Sequence, residues 1–238
     1  LLQNTIMLDV IFLSYNEPFA DANFEHLLQF APHAKRVSGV KGILNAHKAA
    51  AEKAMTTYFY VVDADAVIVD DFEFNYTPTK FEMYHNVPAT ECITCWSSKN
   101  PINGLVYGYG GVKLFPKHKL LSVNEWRVDL ATSTGMPFRP IKRISNITAF
   151  NYDAVTAWRS AFRECAKLAS GQMHGNDESK YRLDIWTTQG ADKPNGKFAI
   201  AGALAGREFG LACGNDLNKL QQINDFDWLN KKYYESNI

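Results

Sequence analysis

A chain of 238 residues, 46% apolar and 13% aromatic, holds enough material for the core of one large α/β domain and is neither disordered nor fibrous. Its 25 basic and 25 acidic residues balance, which excludes a global field drawing it to nucleic acid or to an anionic membrane; such contacts would have to come from a local patch. Cys92, Cys95, Cys165 and Cys213 are too few and too scattered for a disulfide framework, and no apolar run reaches membrane-spanning length.

Residues 1–15 are apolar but include Asp9 and lack a basic leader and a small-residue cleavage site, so they do not read as a secretory signal. Residues 10–13 form a short apolar strand that ends in the polar Ser14-Tyr15-Asn16-Glu17-Pro18. Residues 21–30, with Phe24, Leu27, Leu28 and Phe30, suit an amphipathic helix, and residues 34–37 a second strand. The loop at 38–42 carries Lys41, and residues 43–55 are strong helix formers whose Ala46, Ala49, Ala50 and Ala54 offer a small-residue face for close packing on a sheet. Residues 58–69 read as a buried, β-branched strand. Strand, helix, strand, helix and strand in succession predict a parallel sheet with helices on its faces.

Asp63 and Asp65 stand at the end of that apolar run. One residue apart on a strand, they project to the same side, at the edge where open α/β sheets bind ligands. Two anions together at an apolar rim repel each other unless a divalent cation or a ligand hydroxyl lies between them. Lys41 and His47 or Lys48 fall on the preceding loop and the first turns of its helix, where cations and free backbone N–H groups can meet a pyrophosphate.

Beyond Asp71 the pattern changes. Residues 72–81, 90–97 and 105–115 read as strands with no comparable helix between them, hence a mixed or antiparallel extension. Cys92 and Cys95 read as buried free thiols. Tyr107-Gly108-Tyr109-Gly110-Gly111 suits a tight hairpin and an acceptor-binding loop equally. Residues 136–148 are irregular and basic, with Arg139, Lys142 and Arg143; residues 151–168 form a long helix with Val155, Trp158, Phe162 and Cys165 on one face and Arg159, Arg163 and Lys167 beside it. A polar loop with His174 spans 170–180, a strand 183–187, a loop 190–196 and a closing helix 217–234, while residues 198–211 carry no clear signal.

Lys41-Gly42-x-x-Asn45-Ala46-His47-Lys48-x-Ala50, then Ala54 and Tyr58-Phe59-Tyr60-Val61-Val62-Asp63-Ala64-Asp65, resembles the nucleotide-sugar half of GT-A glycosyltransferases over about residues 8–70. More narrowly, Ser14-Tyr15-Asn16-Glu17-Pro18, Ala34-Lys35-Arg36-Val37-x-Gly39-Val40-Lys41-Gly42, Val61-Val62-Asp63-Ala64-Asp65 and Trp158-Arg159-x-x-Phe162-Arg163-Glu164 are similar to phage-encoded TET-associated glycosyltransferases, a family assigned the addition of sugars to 5-hydroxymethylcytosine in DNA. The resemblance implies an α/β fold, a GT-A-like Rossmann-type open sheet with a parallel N-terminal half and a mixed acceptor-side extension. It implies a single domain over residues 1–238, its nucleotide-sugar half at about 7–100 and its acceptor half at about 101–238.

The activity so implied is metal-dependent transfer of a sugar from a UDP-sugar to a hydroxyl. Ser14, Asn16, Glu17, Lys41, His47, Asp63 and Asp65 would contact the donor. Mn²⁺ or Mg²⁺ would sit on Asp65, with Asp63 on the metal or the ribose and His174 as third ligand. An inverting enzyme would use Glu164, Glu125 or Asp129 as the base. A DNA-base acceptor must leave the stack; Gly110 and Gly111 would admit it, Arg139, Lys142, Arg143, Arg159 and Arg163 would hold phosphates, and Trp126 and Trp158 would stack. No membrane partner is expected, and a phage enzyme would work in the host cytoplasm.

Other readings share parts of the pattern. A glycan, lipid or protein acceptor would leave the first half unchanged. Residues 61–68 also fit the nucleophile motif of haloacid-dehalogenase-type phosphatases, although that motif ends the first strand of its domain and two strands precede it here. A sugar-nucleotide pyrophosphorylase would open with a Gly-rich, Arg-containing loop, unlike residues 14–18, and a binding module would keep the fold without turnover.

Overall fold

The computed structural model describes residues 7–108, 110–171 and 176–236, without the side chain of Asn176. The chain forms two compact units, one running to Lys99 and resuming over Val106–Thr148, the other made of Asn100–Leu105 and the residues from Ala149 onward. Among the described residues no helix is long and apolar enough to cross a membrane.

The first unit opens with β1 (Asp9–Ser14), α1 (Ala20–Leu28), β2 (Lys35–Ser38), α2 (Ile43–Lys53) and β3 (Tyr58–Asp63), the alternation expected from the sequence. β1 pairs in parallel with β2 and with β3, Leu13 standing opposite both Val37 and Asp63. Side chains alternate across the sheet and both faces are covered. Val10, Phe12, Tyr60 and Val62 pack with Leu27 and Trp96 on one face; Ile11, Leu13, Phe59 and Val61 pack with Leu44, Ala50 and Phe115 on the other. Each such side chain contributes about 1.5–3 kcal/mol by leaving water, so continuous apolar runs such as residues 10–13 are held as strands covered on both faces.

The expected strand over 58–69 is two strands. β3 stops at Asp63, the chain turns through Ala64 and Asp65, and β4 (Ala66–Ile68) pairs at the far end of the sheet. The expected strand over 72–81 is irregular chain instead: its aromatics Phe72, Phe74 and Tyr76 fold back onto Tyr60 and Trp96, and the Tyr60 hydroxyl both accepts from Tyr76 N (3.0 Å) and donates to Tyr76 O (2.9 Å). A hairpin of β5 (Met83–Tyr84) and β6 (Val87–Pro88) follows, then β7 (Ile93–Lys99), β8 (Val106–Tyr107) and β9 (Val112–Pro116), α3 (Lys117–Leu121) and α4 (Leu130–Thr134). The segment read as irregular and basic is β10 (Phe138–Thr148), the longest described strand. Register shifts between Ile141 and Asn146 break its period of two, which hides it from pattern reading. β9 runs antiparallel to β3 and β7, β10 runs parallel to β7, and β4 runs antiparallel to β10.

Every described element of the second unit is helical: α5 (Ala154–Ala169), α6 (Asn176–Thr188), α7 (Gly196–Cys213), α8 (Leu217–Leu220), a 3-10 helix (Gln221–Asn224) and α9 (Phe226–Glu235). The expected strand at 183–187 lies inside α6, where Thr187 and Thr188 return their hydroxyls to the carbonyls of Leu183 (2.8 Å) and Asp184 (2.6 Å). Asp153 caps α5, accepting from Thr156 N at 2.6 Å. The stretch without a clear signal is α7, and its glycines explain why. A Cβ on Gly202, Gly206 or Gly210 would lie 2.1, 2.2 or 2.3 Å from the carbonyl oxygens of Trp158, Phe162 and Ala166, so α7 meets α5 backbone to backbone. That contact outweighs the roughly 1 kcal/mol each glycine costs inside a helix.

Candidate functional site

The strand directions bring distant loops to one edge. β1, β2, β3, β7 and β10 run the same way, and β9 and β4 run against them. The ends of β3 and β10 and the starts of β9 and β4 therefore share an edge with the loops that follow β1 and β2. It gathers Glu17 after β1, Asp63 closing β3, Asp65 before β4, Gly110 and Gly111 before β9, Ser98 late in β7 and Asn146 late in β10. Ligands bind at this carboxyl edge in open α/β sheets.

The centre of the cluster is an ion pair. Lys113 of β9, its side chain 5% exposed, places Nζ 2.8 Å from Oδ2 of Asp63 and donates also to the carbonyl of Gly110. Gly110 is left-handed, with φ of 89°, and Asp63 N donates to the carbonyl of Gly111 at 2.9 Å. A Cβ on Gly111 would come within 2.6 Å of the Asn146 side-chain nitrogen, so only glycine leaves room for that amide. Asn146 is fully buried; its oxygen accepts from Ser98 Oγ (2.8 Å) and Ser145 Oγ (2.9 Å), while its Nδ2 has no acceptor among the described residues.

Besides Asp63, the carboxylates of Asp65 and Glu17 lie within electrostatic reach of this cluster. Burial raises the pKa of Asp63, and the charge of Glu17 adds to the effect, while Lys113 opposes it. Asp65 is pushed up to about 7 by burial and by the neighbouring Asp63 charge, with Glu17 adding to the repulsion. Ionising both aspartates at this edge is thus unfavourable unless further positive charge arrives. Carboxylates so placed suit a hard divalent cation, which commonly takes one or two protein carboxylates and completes its shell with phosphate oxygens and water. Among the described residues no group of three His, Cys, Asp or Glu side chains is arranged to hold a metal, and His174, the expected third ligand, lies outside the described residues.

No protein-family model and no curated protein matches this sequence.

Of the expected donor contacts, Glu17, Asp63 and Asp65 come together. Ser14 ends β1 with its hydroxyl bonded by Arg36 Nε at 2.8 Å, and Asn16 and Lys41 are exposed on the loops after β1 and β2. His47 is a core residue. It is 4% exposed, its Nδ1 bonds the Ile43 carbonyl at 2.8 Å, its ring meets Phe115 edge-on at 5.5 Å, and burial beside Lys113 drives its pKa down to about 3. It stays neutral and offers no cation to a phosphate.

The other expected residues are dispersed. Asp129 caps α4, where it accepts from Thr132 N at 2.9 Å, and Glu125 is exposed on the preceding loop. Glu164, on α5 of the second unit, pairs with Lys167 at 3.1 Å. Arg139 donates to Tyr76 OH at 2.8 Å and lies 3.6 Å from Glu82; Arg143 donates to the Asp71 carbonyl, and Lys142 is exposed. Arg159 and Arg163 bind Asn230, Asn224 and the Ile223 carbonyl and lie over the Phe226 ring, tying α9 to α5. Trp158 is 1% exposed and stacked on Phe162, so its ring is a core surface rather than a platform for a base. All four cysteines are buried free thiols, and burial pushes Cys95 up to about 12.

Sequence reasoning missed Lys113, Asn146 and Ser98. A signal existed for the lysine, the lone charge in the apolar run Val112-Lys113-Leu114-Phe115.

Proposed function

We propose that the first unit is the donor-binding part of a GT-A-like glycosyltransferase that moves a sugar from a UDP-sugar to the hydroxyl of 5-hydroxymethylcytosine in DNA. The observation that carries this reading is the pair Asp63 and Asp65 at the break between β3 and β4, on the sheet's carboxyl edge, where burial and mutual repulsion oppose their joint ionisation and Lys113 pairs with Asp63. The acceptor rests on the resemblance alone. Asp65, with Asp63 beside it, would hold Mn²⁺ or Mg²⁺, which when bound neutralises the charge that grows on the departing diphosphate. Around it the chain's own groups are already held: Lys113 fixes the Asp63 carboxylate, the Gly110–Gly111 turn brings backbone close to the edge, and Glu17 lies within electrostatic reach of both aspartates.

The test is transfer followed by mass spectrometry. Purified protein is incubated with Mn²⁺, a panel of UDP-sugars and DNA carrying either 5-hydroxymethylcytosine or cytosine, beside an Asp65→Ala control. A hexose- or pentose-sized gain confined to the hydroxymethylated DNA and lost in the variant supports the proposal. Metal-dependent UDP release without DNA modification moves the acceptor to glycan, lipid or protein, and no turnover or binding of any nucleotide sugar refutes the class.

The Lys113–Asp63 pair favours one second reading, a phosphatase in which Asp63 attacks phosphorus and Asp65 acts as acid and base, since a carboxylate nucleophile approaching a phosphate also needs a fixed cation beside it. Phosphate trapped covalently on Asp63 after acid quench of a phosphomonoester reaction would select it.

A further inference from the structure

The ammonium of Lys113 is buried with two acceptors, the carboxylate of Asp63 at 2.8 Å and the carbonyl of Gly110, and both belong to the edge described above. A buried ammonium stripped of its anion is strongly destabilising, so it keeps its partner, finds another or moves to water. Asp63 is also one of the two carboxylates offered to a divalent cation. The same oxygens cannot serve both charges equally, because a cation on Asp63 repels Lys113 and draws off the electron density that holds it. The turn that Lys113 grips is built to respond. Gly110 has open, left-handed backbone resting on the lysine, a Cβ there lying 3.5 Å from Nζ, and Gly111 carries the carbonyl that holds Asp63 N. Next to it the Asn146 side-chain nitrogen is fully buried, has no acceptor among the described residues and faces Gly111.

We propose that Lys113 is a displaceable counter-ion: it neutralises Asp63 while the edge holds no divalent cation, leaves Asp63 when a cation arrives there, and takes an oxygen of the donor's diphosphate as its new anion. This rests on the nucleotide-sugar reading of the site. Lys113 then couples the two ligands. A cation alone strands the ammonium and a diphosphate alone competes with Asp63 for it, whereas the two together leave every charge paired, so each tightens the other by the same factor. Lys113 acts here as a binding residue with two alternative anions, Asp63 in the empty edge and the diphosphate in the loaded one.

The experiment uses the wild-type protein and needs no turnover. Lysines are labelled with acetic anhydride and quantified by peptide mass spectrometry in buffer, with Mn²⁺, with UDP, and with both; free Mn²⁺ is measured in parallel by electron paramagnetic resonance. Lys113 starts protected by burial. Several-fold greater labelling of Lys113 with Mn²⁺ alone, returned to the starting level by adding UDP, is the expected result. In Lys113→Met, Mn²⁺ without nucleotide binds about tenfold more tightly than in wild type, because Asp63 is released from its competitor, and the tightening of Mn²⁺ by UDP shrinks. Mn²⁺ bound in the absence of UDP with Lys113 labelling no greater than in buffer overturns the proposal, and binding of UDP in the same protein leaves the donor reading standing. No UDP binding by wild type, with or without Mn²⁺, overturns both. The labelling arm decides the matter even where Lys113→Met does not fold.

Discussion

His47 provides a measurement of how dry the interior beneath the candidate site is. Its ring is 4% exposed against Phe115 and beside Lys113, and its pKa is driven down to about 3. In the unfolded chain the imidazole takes its proton near 6.5. Between those values only the unfolded state binds the proton, so stability is complete above about pH 6.5 and falls as the pH falls. At pH 5 the loss is RT ln(1 + 10^1.5), about 2 kcal/mol, a figure set by the unfolded value and nearly independent of the folded one. The perturbation is His47→Leu, which keeps the volume and removes the titration. Urea unfolding of both proteins at pH 7.5 and 5.0 is the assay, and because the second unit is the same in both, its contribution cancels in the difference. With a slope of about 2 kcal/mol per molar urea, the gap between the midpoints should move by about 1 M in favour of the variant on acidification. A gap that is the same at both pH values would mean that folded His47 protonates as readily as unfolded His47, and the burial argument would fail.

Asp65 gives the opposite sign. Its pKa of about 7 lies above the unfolded carboxylate value, so the folded protein holds a proton there that the unfolded chain gives up near pH 4, and stability is lost as the pH rises through 7. Discounted for solvent screening at a part-exposed side chain, Asp65→Asn should gain about 1–2 kcal/mol at pH 8, a Tm rise of about 3–5 °C, and nothing at pH 4; equal Tm values at pH 8 would refute it. Gly206→Ala places a Cβ 2.2 Å from the Phe162 carbonyl oxygen and should destabilise by about 1–3 kcal/mol even though alanine is the better helix former, whereas Leu211→Ala, at a 66% exposed position of the same helix, should leave Tm within about 1 °C. A Gly206→Ala protein as stable as wild type would show that α5 and α7 are not in backbone contact.

The elements that could be read directly were the ones whose signals are local. β1, α1, β2, α2 and β3 announce themselves by short continuous apolar runs and helix-forming stretches, and α5 by its apolar stripe. The misread elements fail for identifiable reasons. β10 loses its period of two at register shifts, residues 72–81 carry strand-like aromatics that pack on Tyr60 and Trp96 rather than pair, residues 183–187 have strand composition but lie in a unit of helices, and α7 carries glycines that only its contact with α5 requires.

The candidate site divides along the same line. Its two aspartates were legible, because a carboxylate pair closing an apolar run is a local departure from pattern and its place at a strand end follows from the alternation before it. Their partners were not: Lys113 lies fifty positions beyond Asp63, and Asn146 reaches the edge through β10. The same holds for removing His47, Trp158, Arg159 and Arg163 from the expected ligand contacts, since the burial and hydrogen bonding that occupy them arise only in the folded chain. Local pattern determined which segments become strands and helices and where the acidic pair falls, because backbone propensity and apolar periodicity act within a few residues. Tertiary structure decided which charge balances which, because strand order, direction and register are set by pairings between segments far apart in the chain.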